Sequence, residues 1–209
     1  MTSASPPRLS EGRRALLEVL VNQAGWFACI LLAAAAKPVW AALTAVPVCA
    51  LHLALARRPR AASGLIIAVM FVGWALDSLI AGTELITYGP AAAAAAPGDR
   101  ASAGALAPAW IASLWAMFAT LLECPLAWLG RRRLLAVLLG AVGGPLAWWG
   151  GVKLGAGQVA GLPGYAIISL EWALATPVLV ACAEGLRRVP SAPPDKRPVG
   201  HSSGPDGST

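Results

Sequence analysis

Charge is what this sequence has least of. Asp, Glu, Lys and Arg together make up 12% of the chain, against about 25% in an ordinary soluble domain, while 57% of residues are hydrophobic. That shortage excludes a soluble enzyme domain. Metal- and redox-type chemistry is equally short of residues. The histidines are two, and the four cysteines, Cys29, Cys49, Cys124 and Cys182, fall in four different apolar stretches with no Cys-x-x-Cys spacing. Neither a zinc site nor a redox pair is indicated, and the cysteines read as small buried hydrophobes. No catalytic or cofactor motif stands out, so no metal and no cofactor is expected.

What the sequence has is six long apolar stretches, each near the roughly 20 residues that cross a bilayer at a 1.5 Å rise. They run at about 15–36, 38–56, 61–82, 108–129, 134–152 and 162–183. The expected fold is all-α: a bundle of six transmembrane helices over 15–184, with a short segment 1–14 before it. An outer loop at 83–107 and a disordered tail at 185–209, which contains His201, complete the chain.

Arginines punctuate alternate ends of these stretches. Of the 16 Lys and Arg residues, thirteen fall on the side of the N-terminus: Arg8, Arg13, Arg14, Arg57, Arg58, Arg60, Arg131, Arg132, Arg133, Arg187, Arg188, Lys196 and Arg197. Lys37, Arg100 and Lys153 fall on the other. Positive charge is retained in the cytoplasm, so both termini are predicted to be cytoplasmic. The net charge of +6 is therefore a topology signal and not a nucleic-acid footprint, because the basic residues flank apolar spans instead of forming a basic domain.

Trp40, Tyr88, Trp110, Trp148, Trp149 and Tyr165 fall near outer span ends and Trp128 near an inner one, as interface-seeking rings do. Trp26, Trp74, Trp115 and Trp172 lie deeper. A cleaved signal peptide ending at Ala34–Ala36 is the rival reading of the first span. Its apolar run is too long for that and carries Asn22 and Gln23. In the outer loop the polyalanine tract Ala91–Ala96 reads as tolerated low complexity.

An ionisable group at bilayer depth costs at least about 2.5–3.5 kcal/mol, so the polar residues inside the spans are the functional candidates. By depth they form two sets. An outer-to-middle set contains Asp77, Glu171, Trp74, Trp115 and Trp172, while the ligand-binding candidates Asn22 and Gln23 sit in the inner-to-middle part of the first span with Trp26 one turn on. Trp74 and Asp77 are three apart and share a helix face. Beside them Gly143, Gly144 and Pro145 are expected to break helical hydrogen bonding near the midplane. An inner set pairs His52 with Glu123, with Glu18 as a further candidate. Two bland accounts compete: the acids as protonated packing contacts between helices, and Gly-Gly-Pro as a close-packing notch with a kink.

The runs Asn22-Gln23-Ala24-Gly25-Trp26-Phe27-Ala28-Cys29, Asp77-Ser78, Leu114-Trp115-Ala116-Met117-Phe118-Ala119-Thr120 and Gly140 to Trp148 together resemble a bacterial inner-membrane family, domain of unknown function 2878. The resemblance covers roughly Ala15 to Ala183. It implies a small multi-pass membrane protein with no established activity and, from the lipid-modifying genes such proteins accompany, a lipid role. Glu123, Cys124 and Pro125 depart from the polar pattern usual there.

Three functions follow as expectations: binding or handling of a lipid or other amphiphile within the bundle, a non-catalytic scaffold for a lipid-modifying membrane assembly, and an intramembrane enzyme using Asp77 and Glu171 as acid and base. The first is preferred. Its expected partners are membrane lipids and a further membrane protein, with no nucleic acid.

Overall fold

The computed structural model describes residues 10–90 and 106–188. The polyalanine tract, Arg8, Arg100, Lys196, Arg197 and the tail with His201 lie outside them.

Among the described residues, seven α-helices account for the fold. Helix α1 spans Glu11–Ala34, α2 Pro38–Leu43, α3 Ala45–Leu55 and α4 Pro59–Ala81; α5 is Ala109–Leu122, α6 Arg133–Lys153 and α7 Gly161–Arg188. Their starts follow local chemistry. The Ser10 side chain accepts from the Arg13 amide at the head of α1, and Pro38 and Pro59 open α2 and α4 where a missing N–H costs nothing. Helices α2 and α3 meet at Thr44 and together form one 18-residue unit. Five units are long and apolar enough to cross a membrane: α1, α2–α3, α4, α6 and α7. The all-α class of the sequence reading is what is found.

The fourth stretch departs from the sequence expectation of 108–129. Helix α5 has 14 residues, about 21 Å of rise, because Pro125 cannot donate to Leu121; the Leu121 carbonyl accepts from Leu126 at 2.8 Å instead. The chain then continues through a 3₁₀ turn, Ala127–Arg131. Nine residues of α5 are buried, among them Trp110, Trp115, Met117 and Thr120, and it packs against α1, α2, α3 and α4. The apolar helix that falls short of a span is thus the core around which the spanning units stand.

Those outer helices turn apolar stripes outward. Leu138, Val142 and Leu146 on α6, and Leu170, Leu174 and Val178 on α7, repeat every four residues and are exposed. With Leu16, Leu20, Phe27 and Leu31 on α1 they expose large apolar side chains on three helices, as suits a surface facing lipid.

The two ends of the bundle differ. At one, Arg57 pairs with Glu11 at 3.0 Å, Arg58 donates to the Leu186 carbonyl at 3.4 Å, and Arg187 donates to the Leu122 carbonyl at 2.8 Å. Basic residues from the α3–α4 junction and from the end of α7 therefore gather at one end, beside the start of α1 and the end of α5. At the other end, β1 (Ile86–Tyr88) and β2 (Gly157–Val159) pair antiparallel, Thr87 opposite Gln158, in a short ribbon that no alternation in the sequence announces.

One expectation needs correction. Gly143-Gly144-Pro145 does not break α6, which runs unbroken from Arg133 to Lys153 with Pro145 inside it. The proline removes one donor, and the Ala141 carbonyl it strands accepts from Ser169 Oγ of α7 at 2.8 Å.

Candidate functional site: an apolar slot within the bundle

Helices α6 and α7 make the most extensive pairing in the molecule, through Gly140 and Gly144. A methyl at Gly140 would overlap the Trp172 carbonyl, and one at Gly144 would overlap the Trp172 indole. This Gly-x-x-x-Gly spacing lets the two backbones approach and seats Trp172 flat against α6.

Trp172 in turn stacks on Trp115 of α5, centroids 4.6 Å apart and planes 12° apart, with Phe118 edge-on to both. Trp115 lies against Gly73 of α4, where a methyl would overlap its ring. Its indole N–H donates to Asp77 Oδ2 at 2.6 Å, and the Tyr88 hydroxyl donates to Asp77 Oδ1 at 3.2 Å. Tyr88 reaches that acid because the β1–β2 ribbon folds over the bundle end, packing its ring on Trp110 and Trp148. Asp77, 3% exposed, is thus a buried acid with both oxygens engaged. Trp74 serves elsewhere, donating to the Ala107 carbonyl at 2.6 Å.

Helices α1 and α6 do not pair along their lengths, and between them lies a cavity of about 500 Å³, floored by α5 and α7. It is lined by Leu139, Gly143, Ala147 and Val152 of α6, Leu114 and Phe118 of α5, Asn22, Gln23, Trp26 and Ile30 of α1, and Trp172 and Thr176 of α7. Along α6 the lining runs from Leu139 to Val152, about 20 Å at helical rise, so the cavity is a slot lying along that helix. Near its ribbon end α1 closes on α6, with Trp26 next to Gly150 and Ile30 next to Gly151. Asp77 is the one ionisable residue in the lining.

The inner set forms a separate cluster. His52 of α3, 1% exposed, has Nδ1 3.2 Å from Glu18 Oε1 and Nε2 3.1 Å from Glu123 Oε2. Glu18 also accepts from Arg14 Nε at 2.8 Å. A neutral imidazole donates through one nitrogen only, so the three groups share an extra proton when both contacts are hydrogen bonds. One turn above Glu18, Asn22 donates to the Met117 carbonyl at 2.7 Å and turns the polar column toward the slot.

The model of a family described as "Protein of unknown function (DUF2878)" matches residues 15–178. The chain belongs to that family. No curated protein and no solved structure matches it. The matched residues of this DUF2878 protein contain the whole slot and the Glu18–His52–Glu123 cluster. Its five long apolar units are compatible with a multi-pass membrane protein.

Of the residues singled out from sequence, Asn22, Gln23, Trp26, Asp77, Trp115, Gly143, Gly144 and Trp172 line the slot. Trp74, Pro145 and Glu171 do not. Glu171 is 8% exposed and within electrostatic reach of Asp77 and Tyr88, yet neither carboxylate oxygen has a hydrogen-bond partner among the described residues. Two participants escape sequence reading. Tyr88 is carried to Asp77 by a ribbon with no visible alternation, and Ser169 is matched to Ala141 only by the helix pairing.

Proposed function

We propose that this protein is a bacterial inner-membrane protein, both termini cytoplasmic, that holds a lipid or similar amphiphile in the slot between α1 and α6. The observation that carries this reading is the slot itself. Its volume falls within the 300–1,000 Å³ of small-molecule sites, its lining is aromatic and aliphatic with few polar groups, and it is elongated along α6 as an acyl or isoprenoid chain lies in a bilayer. Gly143 opens onto it with nothing within 4 Å of the position a side chain would take.

The acid–base enzyme reading has less support. Asp77 lines the slot with both oxygens already engaged, and Glu171 lies outside the lining, so the two acids do not converge on one bound atom.

Mass spectrometry of lipids co-purified after gentle extraction tests the proposal. The wild type retains a specific amphiphile, and Gly143→Trp, which fills the slot from open space, loses it while keeping a monodisperse elution profile. Bulk membrane lipids in bulk proportions from both proteins would contradict it.

A further inference from the structure

The two ends of the slot differ in how many basic side chains stand near them. Toward the ribbon end the nearby basic side chain is Lys153, whose Nζ stands 5.8 Å over the Trp149 ring. At the opposite end the lining includes Leu126 and Leu129, and Leu129 precedes Arg131 by two residues in the same 3₁₀ turn. Helix α6 begins at Arg133 and contributes Leu139 to the lining six residues later, about 9 Å along its axis.

Arg131, Arg132 and Arg133 are exposed, and no carboxylate among the described residues pairs with them. Of their neighbours at the same end, Arg14 pairs with Glu18, Arg57 with Glu11 and Arg188 with Glu184, while Arg13 and Arg60 pair with no carboxylate among the described residues but adjoin no residue of the slot lining in sequence. Glu184, whose carboxylate lies against Gly130, is thereby taken. Arg132 has its guanidinium 5.7 Å from the Trp128 ring centroid, an arrangement that leaves its N–H groups free to donate. Inside the slot there is no Lys, Arg or His, so a phosphate has no counter-charge there. Three arginines without a carboxylate partner at one end and a largely apolar barrel with no basic group behind them match an amphiphile in two parts.

Resting on the slot reading above, we infer that the occupant is an anionic membrane phospholipid of the cytoplasmic leaflet, one acyl chain lying along α6 and its phosphate held by Arg131, Arg132 and Arg133. Arginine forks donate two parallel hydrogen bonds to a phosphate, and such charge-assisted contacts are roughly twice as strong as neutral ones. A zwitterionic head brings its own cation to the same place and forfeits part of that attraction.

The full-length protein is exchanged into mixed micelles of equal phosphatidylglycerol and phosphatidylcholine, and bound lipid is counted by native mass spectrometry. The wild type holds phosphatidylglycerol over phosphatidylcholine by roughly tenfold, the worth of one good charge-assisted contact. Raising salt to 0.5 M compresses the preference, because exposed charges are screened. Replacing all three arginines by Gln brings the ratio to about one with total lipid per chain unchanged. The triple Lys variant, which keeps the topology signal, retains only part of the preference. Gly143→Trp lowers total lipid instead. Equal retention of the two lipids by the wild type, or an undiminished preference in the Gln variant, overturns this inference and leaves the slot reading standing. A wild type that holds no lipid overturns both.

Discussion

Trp115 and Trp172 come from different helices and stack at 4.6 Å, each also lying against a glycine of a third or fourth helix: Gly73 beside Trp115, Gly144 beside Trp172. This pair ties α4, α5, α6 and α7 together and sets the wall of the slot. Gly73→Ala and Gly144→Ala each force a methyl into an indole and should lower stability by about 1–3 kcal/mol, as over-packed cores do. Gly143→Ala, one residue away in the same helix, meets open space and should be neutral or stabilising by up to about 1 kcal/mol. Unfolding midpoints in mild detergent give the comparison, and an equal effect at Gly143 and Gly144 would refute the notch.

At Asp77 the contrast is between Asn and Leu. In Asp77→Asn the amide oxygen still accepts from Trp115, and its NH₂ donates to Tyr88, since a phenol both donates and accepts. Abundance should stay near that of the wild type. Asp77→Leu leaves the buried Trp115 N–H unpaired at about 1–3 kcal/mol, whereas the Tyr88 hydroxyl keeps the main-chain carbonyl of residue 77, 3.3 Å away, so adding Tyr88→Phe should recover little of the loss. Fluorescence-detected size exclusion reads all three. Equal loss in Asn and Leu variants would show that Asp77 must be an acid and not only a bond acceptor.

The inner cluster responds differently. His52→Leu strips a shared partner from Glu18 and Glu123 and should cost about 3–5 kcal/mol, the usual penalty for a buried pair broken on one side. Glu18→Leu combined with His52→Leu should recover part of that, because the more buried acid is gone and the one left, Glu123, has 16% of its side chain exposed. A double variant no more stable than His52→Leu would argue that Glu18 is held by Arg14 alone.

Topology has its own check. Single cysteines at Arg132 and at Gln158, in a chain with its native cysteines replaced, should be labelled by an impermeant thiol reagent from opposite sides. Gln158 should react in intact cells and Arg132 only after permeabilisation. The reverse pattern would invert the orientation argued from the arginines.

Much of the architecture was legible because it rests on two robust signals: apolar length and the side on which arginines fall. Depth along a span can be counted, which is why Asp77, Trp115, Glu171 and Trp172 were grouped in one layer. Azimuth cannot be counted in helices that are apolar on nearly every face. Helix α7 turns Trp172 and Thr176 to the slot and Glu171 away from it, and nothing in its composition says so. The end of α5 was hidden by Leu126 to Leu129, which prolong the apolar run past the proline that ends the helix. Gly143-Gly144-Pro145 promised a break because sequence shows the lost donor but not Ser169, which repairs it.

The central claim is that a lipid chain occupies the slot, and the direct measurement is photo-crosslinking from a phosphatidylglycerol bearing a diazirine along its acyl chain, followed by peptide mapping. Adducts should concentrate on the α6 face from Leu139 to Val152 and on Gln23 and Trp26 of α1, and should vanish there in Gly143→Trp. Adducts confined to the outward stripes, such as Phe71 and Leu79 of α4 or Leu170 and Leu174 of α7, with no change in Gly143→Trp, would contradict it.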